Sequence, residues 1–125
     1  MPIKILVADD EAAIARVVAM KLRNAGLDVT VAMDGDEAYR CAMAERPSLL
    51  ITDLQMPGMS GIELCARLAA ELDGGVPTIL LTAKGFEIDE LAVRGLPILR
   101  IMTKPFSPRE LLVNVKGELA ETACL

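Results

Sequence analysis

The sequence has no histidine and no tryptophan, and its aromatic residues are Tyr39, Phe86 and Phe106 in a chain of 125. Without histidine, the commonest general base and several metal-site types are excluded. So few rings leave little for base stacking, and a net charge of −5 with no basic stripe argues against a phosphate-backbone footprint. Direct nucleic-acid contact is therefore not expected. Cys41, Cys65 and Cys124 are scattered, show no C-x-x-C spacing, and fit a reducing cytoplasm. The opening apolar run stops at Asp9, too short for a signal peptide or a membrane span, and no later run reaches spanning length without a charge.

What is present is aliphatic. Apolar residues make up 53%, enough for a core without disulfides, and the length suits one domain over 1–125. Ile3 to Ala8 is too apolar to be half exposed, as in a parallel sheet covered on both faces. Ala12 to Ala25 follows with Ile14, Val18 and Leu22 at helical spacing and Gly26 as its stop. Val29–Ala32 reads as a second strand, and Asp34 caps a helix from about Asp36 to Arg46, ended by Pro47. Leu49–Thr52 is a third strand. The helix Ile62–Leu72 has Leu64 and Leu68 on one face, and Pro77–Thr82 is a fourth strand after the Gly74-Gly75 turn. Ala83–Gly95 reads as a weaker helix without a strong cap, and Ile98–Thr103 as the fifth strand. A last helix begins with Ser107 as cap, Pro108 first and Glu110 three after the cap, with Leu111, Leu112, Val115 and Leu119 on its apolar face. Five βα repeats predict a doubly wound α/β sandwich.

Polar residues gather where these strands end. Asp9-Asp10 follows the first, Asp53 the third, Thr82 ends the fourth and Lys104 follows the fifth. Parallel strands end at one edge, where open α/β folds place their sites, so these residues should converge. Three carboxylates and one ammonium are balanced by a divalent cation, and hard oxygen ligands suit Mg²⁺. Such a site can receive a phosphoryl group: a carboxylate is the nucleophile, positive charge neutralises the transferring oxygens, and Thr82 supplies a hydroxyl donor.

In these residues the chain resembles a response-regulator receiver domain of two-component signalling, of the chemotaxis-regulator type. The likeness covers the whole chain. It rests on Asp9-Asp10-Glu11, on Asp53 with Met56-Pro57-Gly58-Met59-Ser60-Gly61, on Thr82-Ala83 and on Lys104-Pro105-Phe106, in this order. The resemblance implies a (βα)5 flavodoxin-like fold with strand order 2-1-3-4-5. It implies that Asp53 is phosphorylated from the phosphohistidine of a sensor histidine kinase or phosphotransfer protein, or from a small phosphodonor. Asp10, Asp53 and the backbone carbonyl of Gln55 would bind Mg²⁺, with Asp9 acting mainly through a metal-bound water. Lys104 would pair with the phosphoryl group, and the bond before Pro105 would be cis. Gln55 and Lys84 would flank attacking water and tune the phosphoryl lifetime, while Thr82 would pull Ala83 and Lys84 and so alter the α4-β5-α5 output face. The partner reading it would be an unknown downstream protein or output domain, or a second copy of the chain on activation.

Blander readings compete residue by residue. Asp9 or Asp10 alone could cap the first helix, Asp53 could be a turn residue, Thr82 a strand residue and Lys104 surface charge. Glu11 reads as first-turn helix charge, Tyr39 as helix packing, and the methionines as flexible core filler. Among whole-chain alternatives, a phosphohydrolase of the haloacid-dehalogenase type uses a similar set but needs a second Asp two residues after its nucleophile. Gln55 stands there. A flavodoxin-like carrier wants a Ser/Thr/Gly-rich phosphate loop where Asp9-Asp10-Glu11 lies, and a degenerate docking receiver would have lost part of the set. One departure from the family pattern is Ile101, where receivers commonly carry an aromatic that swings to couple the Thr to the signalling face. Gly95-Leu96-Pro97-Ile98-Leu99 also replaces the usual short turn. Switching is therefore expected through Ala83–Gly95, with exposed apolar residues near Leu96 and Ile98.

Overall fold

The computed structural model describes residues 3–83 and 85–123. Five strands alternate with five helices: β1 (Lys4–Ala8), α1 (Ala12–Asn24), β2 (Asp28–Ala32), α2 (Gly35–Glu45), β3 (Leu49–Asp53), α3 (Gly61–Glu71), β4 (Thr78–Ala83), α4 (Glu90–Val93), β5 (Ile98–Lys104) and α5 (Pro108–Ala123). The strands form one parallel sheet in the order β2-β1-β3-β4-β5. This is the doubly wound α/β fold that the pattern predicts, in the strand order that the resemblance implies.

The central strands are apolar on both faces because both are covered. Ile5, Val7, Leu49, Ile51, Ile79 and Leu81 pack with Val18 and Leu22 of α1 and Leu111 and Val115 of α5. On the opposite face, Leu6, Ala8 and Leu50 pack with Ala38 and Ala42 of α2 and Leu64 and Leu68 of α3. Local chemistry sets the helix starts. Asp34 Oδ1 accepts the Glu37 N–H, and Ser60 and Ser107 accept from Glu63 and Glu110, satisfying backbone donors that a first turn leaves open.

The segment after β4 departs from expectation. In place of a helix over Ala83–Gly95 there is a single turn, Glu90–Val93, with no buried residue. Gly85 takes φ +83°, which breaks helical continuation, and Asp89 Oδ1 caps the turn through the Leu91 N–H, so a cap does precede it. The consequence appears on β5. Arg100 and Met102 face α5, where they meet Glu118 and Asn114. Leu99 and Ile101 point the other way and are 40% and 45% exposed. Leu96 and Ile98 are half-buried, so the exposed apolar residues here are Phe86, Leu91, Leu99 and Ile101 instead. Nor are the methionines uniformly core: Met59 and Met102 are buried, while Met20 and Met33 are exposed.

Candidate functional site

The C-terminal ends of β1, β3, β4 and β5 bring the expected residues to one edge. Asp9 follows β1, held by its N–H to the Ala32 carbonyl at 3.1 Å. Asp53 ends β3 opposite Leu81, and Thr82 is the next residue of β4, paired with Thr103. Lys104 ends β5, and its bond to Pro105 is cis. Carboxylate oxygens of Asp9, Asp10 and Asp53 all lie within 4.8 Å of one another.

These carboxylates differ in environment. Asp9 is fully buried and Asp53 is 7% exposed, whereas Asp10 faces solvent. Lys104 Nζ stands 3.2 Å from Asp9 Oδ2, 3.3 Å from Asp53 Oδ2 and 3.0 Å from Glu11 Oε1. Burial pushes the Asp53 carboxyl above its ordinary value; Lys104 opposes the shift, and the charges of Asp9 and Asp10 add to it. Burial by itself would lower the Lys104 ammonium, but the hydrogen bond to Glu11, the close contact with Asp9 and the charges of Asp9 and Asp53 outweigh it, so its pKa is raised.

Several expectations are refined. Asp9 does act locally as well, since its Oδ1 accepts the Glu11 N–H at 2.9 Å. Glu11 is not a first-turn helix charge. It is the residue before the first turn, its side chain makes no cap, and its carboxylate crosses to Lys104. The acidic run advertised negative charge at this edge, but nothing in it signalled a pairing across the sheet. Thr82 is buried, and its Oγ1 reaches the Ala83 carbonyl only at 3.5 Å. Gln55 is exposed in the loop after β3, beside a groove of about 430 Å³ that Met56, Phe86 and Ile88 also line. Ala83 is exposed at the end of β4, in register with Lys104. Lys84 lies outside the described residues. Ile101 does not fill space behind Thr82; it faces outward. Tyr39 packs on the α2–α3 core as expected, and also donates to Glu71 while Arg67 sits 3.9 Å over its ring.

Sequence missed one packing device. A Cβ on Gly61 would stand 2.4 Å from the Asp53 carbonyl oxygen, and a Cβ on Gly35 would stand 2.3 Å from that of Met59. The loop after β3 is thus seated against both the candidate nucleophile and the start of α2. The motif containing Gly61 was the signal available.

The charge pattern fits a divalent cation. Asp9 Oδ2 is buried without a hydrogen bond, and three carboxylates face one ammonium. A family model, the response regulator receiver domain, matches residues 5–116. The chain belongs to that family. It is 41% identical over 116 residues to the alkaline phosphatase synthesis transcriptional regulatory protein PhoP of Bacillus subtilis (strain 168), covering 93% of this chain and 48% of that protein. To the DNA-binding response regulator MtrA of Mycobacterium tuberculosis (strain ATCC 25618 / H37Rv) it is 39% identical over 116 residues, covering 93% and 50%. The chain therefore spans about half the length of these curated relatives. Among solved structures, a Francisella response regulator receiver domain superposes with a TM-score of 0.83 at 32% identity, covering 95% of this chain and 98% of that one. The chemotaxis response regulator CheY4 of Vibrio cholerae gives 0.80 at 28% identity, covering 93% and 98%. As a receiver domain the chain is a component of two-component signalling. Among the described residues no helix is long and apolar enough to cross a membrane.

Proposed function

We propose that this receiver domain is a phosphorylated switch in which Asp53 accepts a phosphoryl group. The observation that carries the reading is a nearly buried carboxylate at a strand end, 3.3 Å from an ammonium and within 4.8 Å of two further carboxylates. Family membership points to the phosphohistidine of a sensor histidine kinase or phosphotransfer protein as donor, and a small acyl phosphate is an alternative donor. In the reaction an Asp53 oxygen forms a bond to phosphorus as the bond from phosphorus to the donor's imidazole nitrogen breaks. The electron pair of the broken bond stays on the ring.

The remaining residues supply charge and orientation. Asp9, Asp10 and Asp53, with the backbone carbonyl of Gln55, would hold Mg²⁺, which when bound neutralises charge on the transferring oxygens. Lys104 donates to the phosphoryl oxygens from the other side. Thr82 has a long bond to give up and so can turn its hydroxyl toward them. The added charge of about −1.5 to −2 then draws Thr82 and Ala83 inward and disturbs the segment after β4. That segment and the uncovered face of β5 form the output surface, for an output domain, a downstream protein or a second copy of the chain. Gln55 and Lys84 are the residues assigned to control water attack and hence signal lifetime. A cytoplasmic location follows from a cytoplasmic donor.

The test is Mg²⁺-dependent labelling with acetyl phosphate, followed by mass. One phosphoryl group is expected on the wild type and none on Asp53→Asn; full labelling of that variant overturns the assignment. Decay of the phosphoprotein should change on replacing Gln55 or Lys84 by Ala, and unchanged decay in both removes them from the water path.

A further inference from the structure

Lys104 already has as many carboxylate partners as it has donors. An ammonium has three donors. Here three carboxylates surround it, from Asp9, Asp53 and Glu11. Its aligned hydrogen bond goes to Glu11 Oε1 at 3.0 Å, while the buried Asp9 Oδ2, only 3.2 Å away, has no hydrogen bond. A phosphoryl group on Asp53 would bring new acceptor oxygens, and an ammonium drawn toward them would give up part of its present pairing. Glu11 is the partner that leaves at least cost: its side chain is 58% exposed and can be rehydrated, whereas that of Asp9 is fully buried.

We propose that Glu11 is a positioning residue that parks the Lys104 ammonium in the unphosphorylated state, so that phosphorylation includes an exchange of partners at Lys104. This rests on the reading of Asp53 as phosphoacceptor. The Glu11–Lys104 pair is made before phosphorylation and lost after it, and therefore opposes the phosphorylated state. Removing the pair should favour phosphorylation by the modest factor of a half-exposed ion pair, about two- to fivefold.

Charge and reach can be separated. Glu11→Gln removes the negative charge, which would also relieve simple repulsion of an incoming anion. Glu11→Asp keeps the charge but shortens the side chain by one methylene, so it cannot span to Lys104 as before. Apparent affinity for beryllofluoride with Mg²⁺ and the initial rate of acetyl phosphate labelling are measured for wild type and both variants, with Asp53→Asn as blank. Parking predicts that both variants gain about two- to fivefold in both readouts. A gain by Glu11→Gln alone shows that bulk repulsion is responsible and overturns the proposal. No gain by either, or a loss, overturns it as well. If wild type and Asp53→Asn behave alike, the phosphoacceptor reading itself falls and takes this inference with it; in the preceding outcomes that reading stands.

Discussion

Replacing Asp53 by Asn should change stability in opposite directions with and without metal. Asp53 is 7% exposed, and its carboxylate is within 4.8 Å of that of buried Asp9. At an effective dielectric of 20, that separation corresponds to roughly 3.5 kcal/mol of repulsion. Exposed Asp10 adds less, because water and salt screen it. Against this, Lys104 at 3.3 Å contributes roughly 5 kcal/mol of attraction on the same scale. Attraction and repulsion nearly offset, so the cost of burying a carboxylate is left over, in the same sense as the raised carboxyl pKa. An amide removes that cost, while Lys104 keeps Asp9 and Glu11 as partners. The expected gain is about 1 kcal/mol, which for a domain of this size raises Tm by about 4 °C. Mg²⁺ reverses the order. At a hundred times its Kd, a ligand specific for the folded state adds about 2.7 kcal/mol, so wild type should rise by about 10 °C and the variant by far less. Thermal melts in chelator and across a Mg²⁺ series measure both arms. An Asn variant that melts lower than wild type in chelator, yet keeps the full response to Mg²⁺, would refute both the charge balance and the ligand assignment.

Three further outcomes follow from the same geometry. The Asn advantage in chelator should depend on pH: a carboxyl with a raised folded pKa costs stability only as pH rises through the window above its ordinary 3.8, so the two melting curves should converge as pH falls below that window. Gly61→Ala should destabilise by about 1–3 kcal/mol and slow labelling of Asp53, because the new Cβ would lie 2.4 Å from the Asp53 carbonyl oxygen; denaturant melts and labelling rates at matched stability check it, and a neutral effect shows that the loop yields freely. Hydrogen exchange should differ between the metal-free and beryllofluoride forms within residues 85–97, where one uncapped stretch and one turn replace a full helix, and equal protection there with change elsewhere would move the switch to another element.

The central strands and the edge residues were legible in the sequence for one reason. Each strand is an apolar run cut off by a polar residue, and a parallel sheet turns that punctuation into proximity. Asp9, Asp53, Thr82 and Lys104 could therefore be gathered without any knowledge of side-chain direction. Glu11 could not, because its place depends on where a flexible side chain points: the same residue at the start of a helix can face solvent, cap a turn or, as here, cross to a strand end 93 residues away. The stretch after β4 was misread for a different reason. Ala83, Leu91, Ala92 and Val93 are acceptable helix formers, but Gly85 at φ +83° and the Asp89 cap confine the helix to one turn. That correction also bears on Ile101, which with residues 95–99 is read as a departure from the pattern of the family that the sequence resembles. Leu99 and Ile101 lie on the face of β5 opposite α5, and a one-turn α4 covers little of that face. An aromatic there would have no helix wall to swing against, since no residue of α4 is buried. The short α4 and the exposure of Ile101 thus go together in this chain. The prediction for β5 is therefore that a signal covers or exposes Leu99 and Ile101 directly, and equal exposure of both in the metal-free and beryllofluoride forms would refute it.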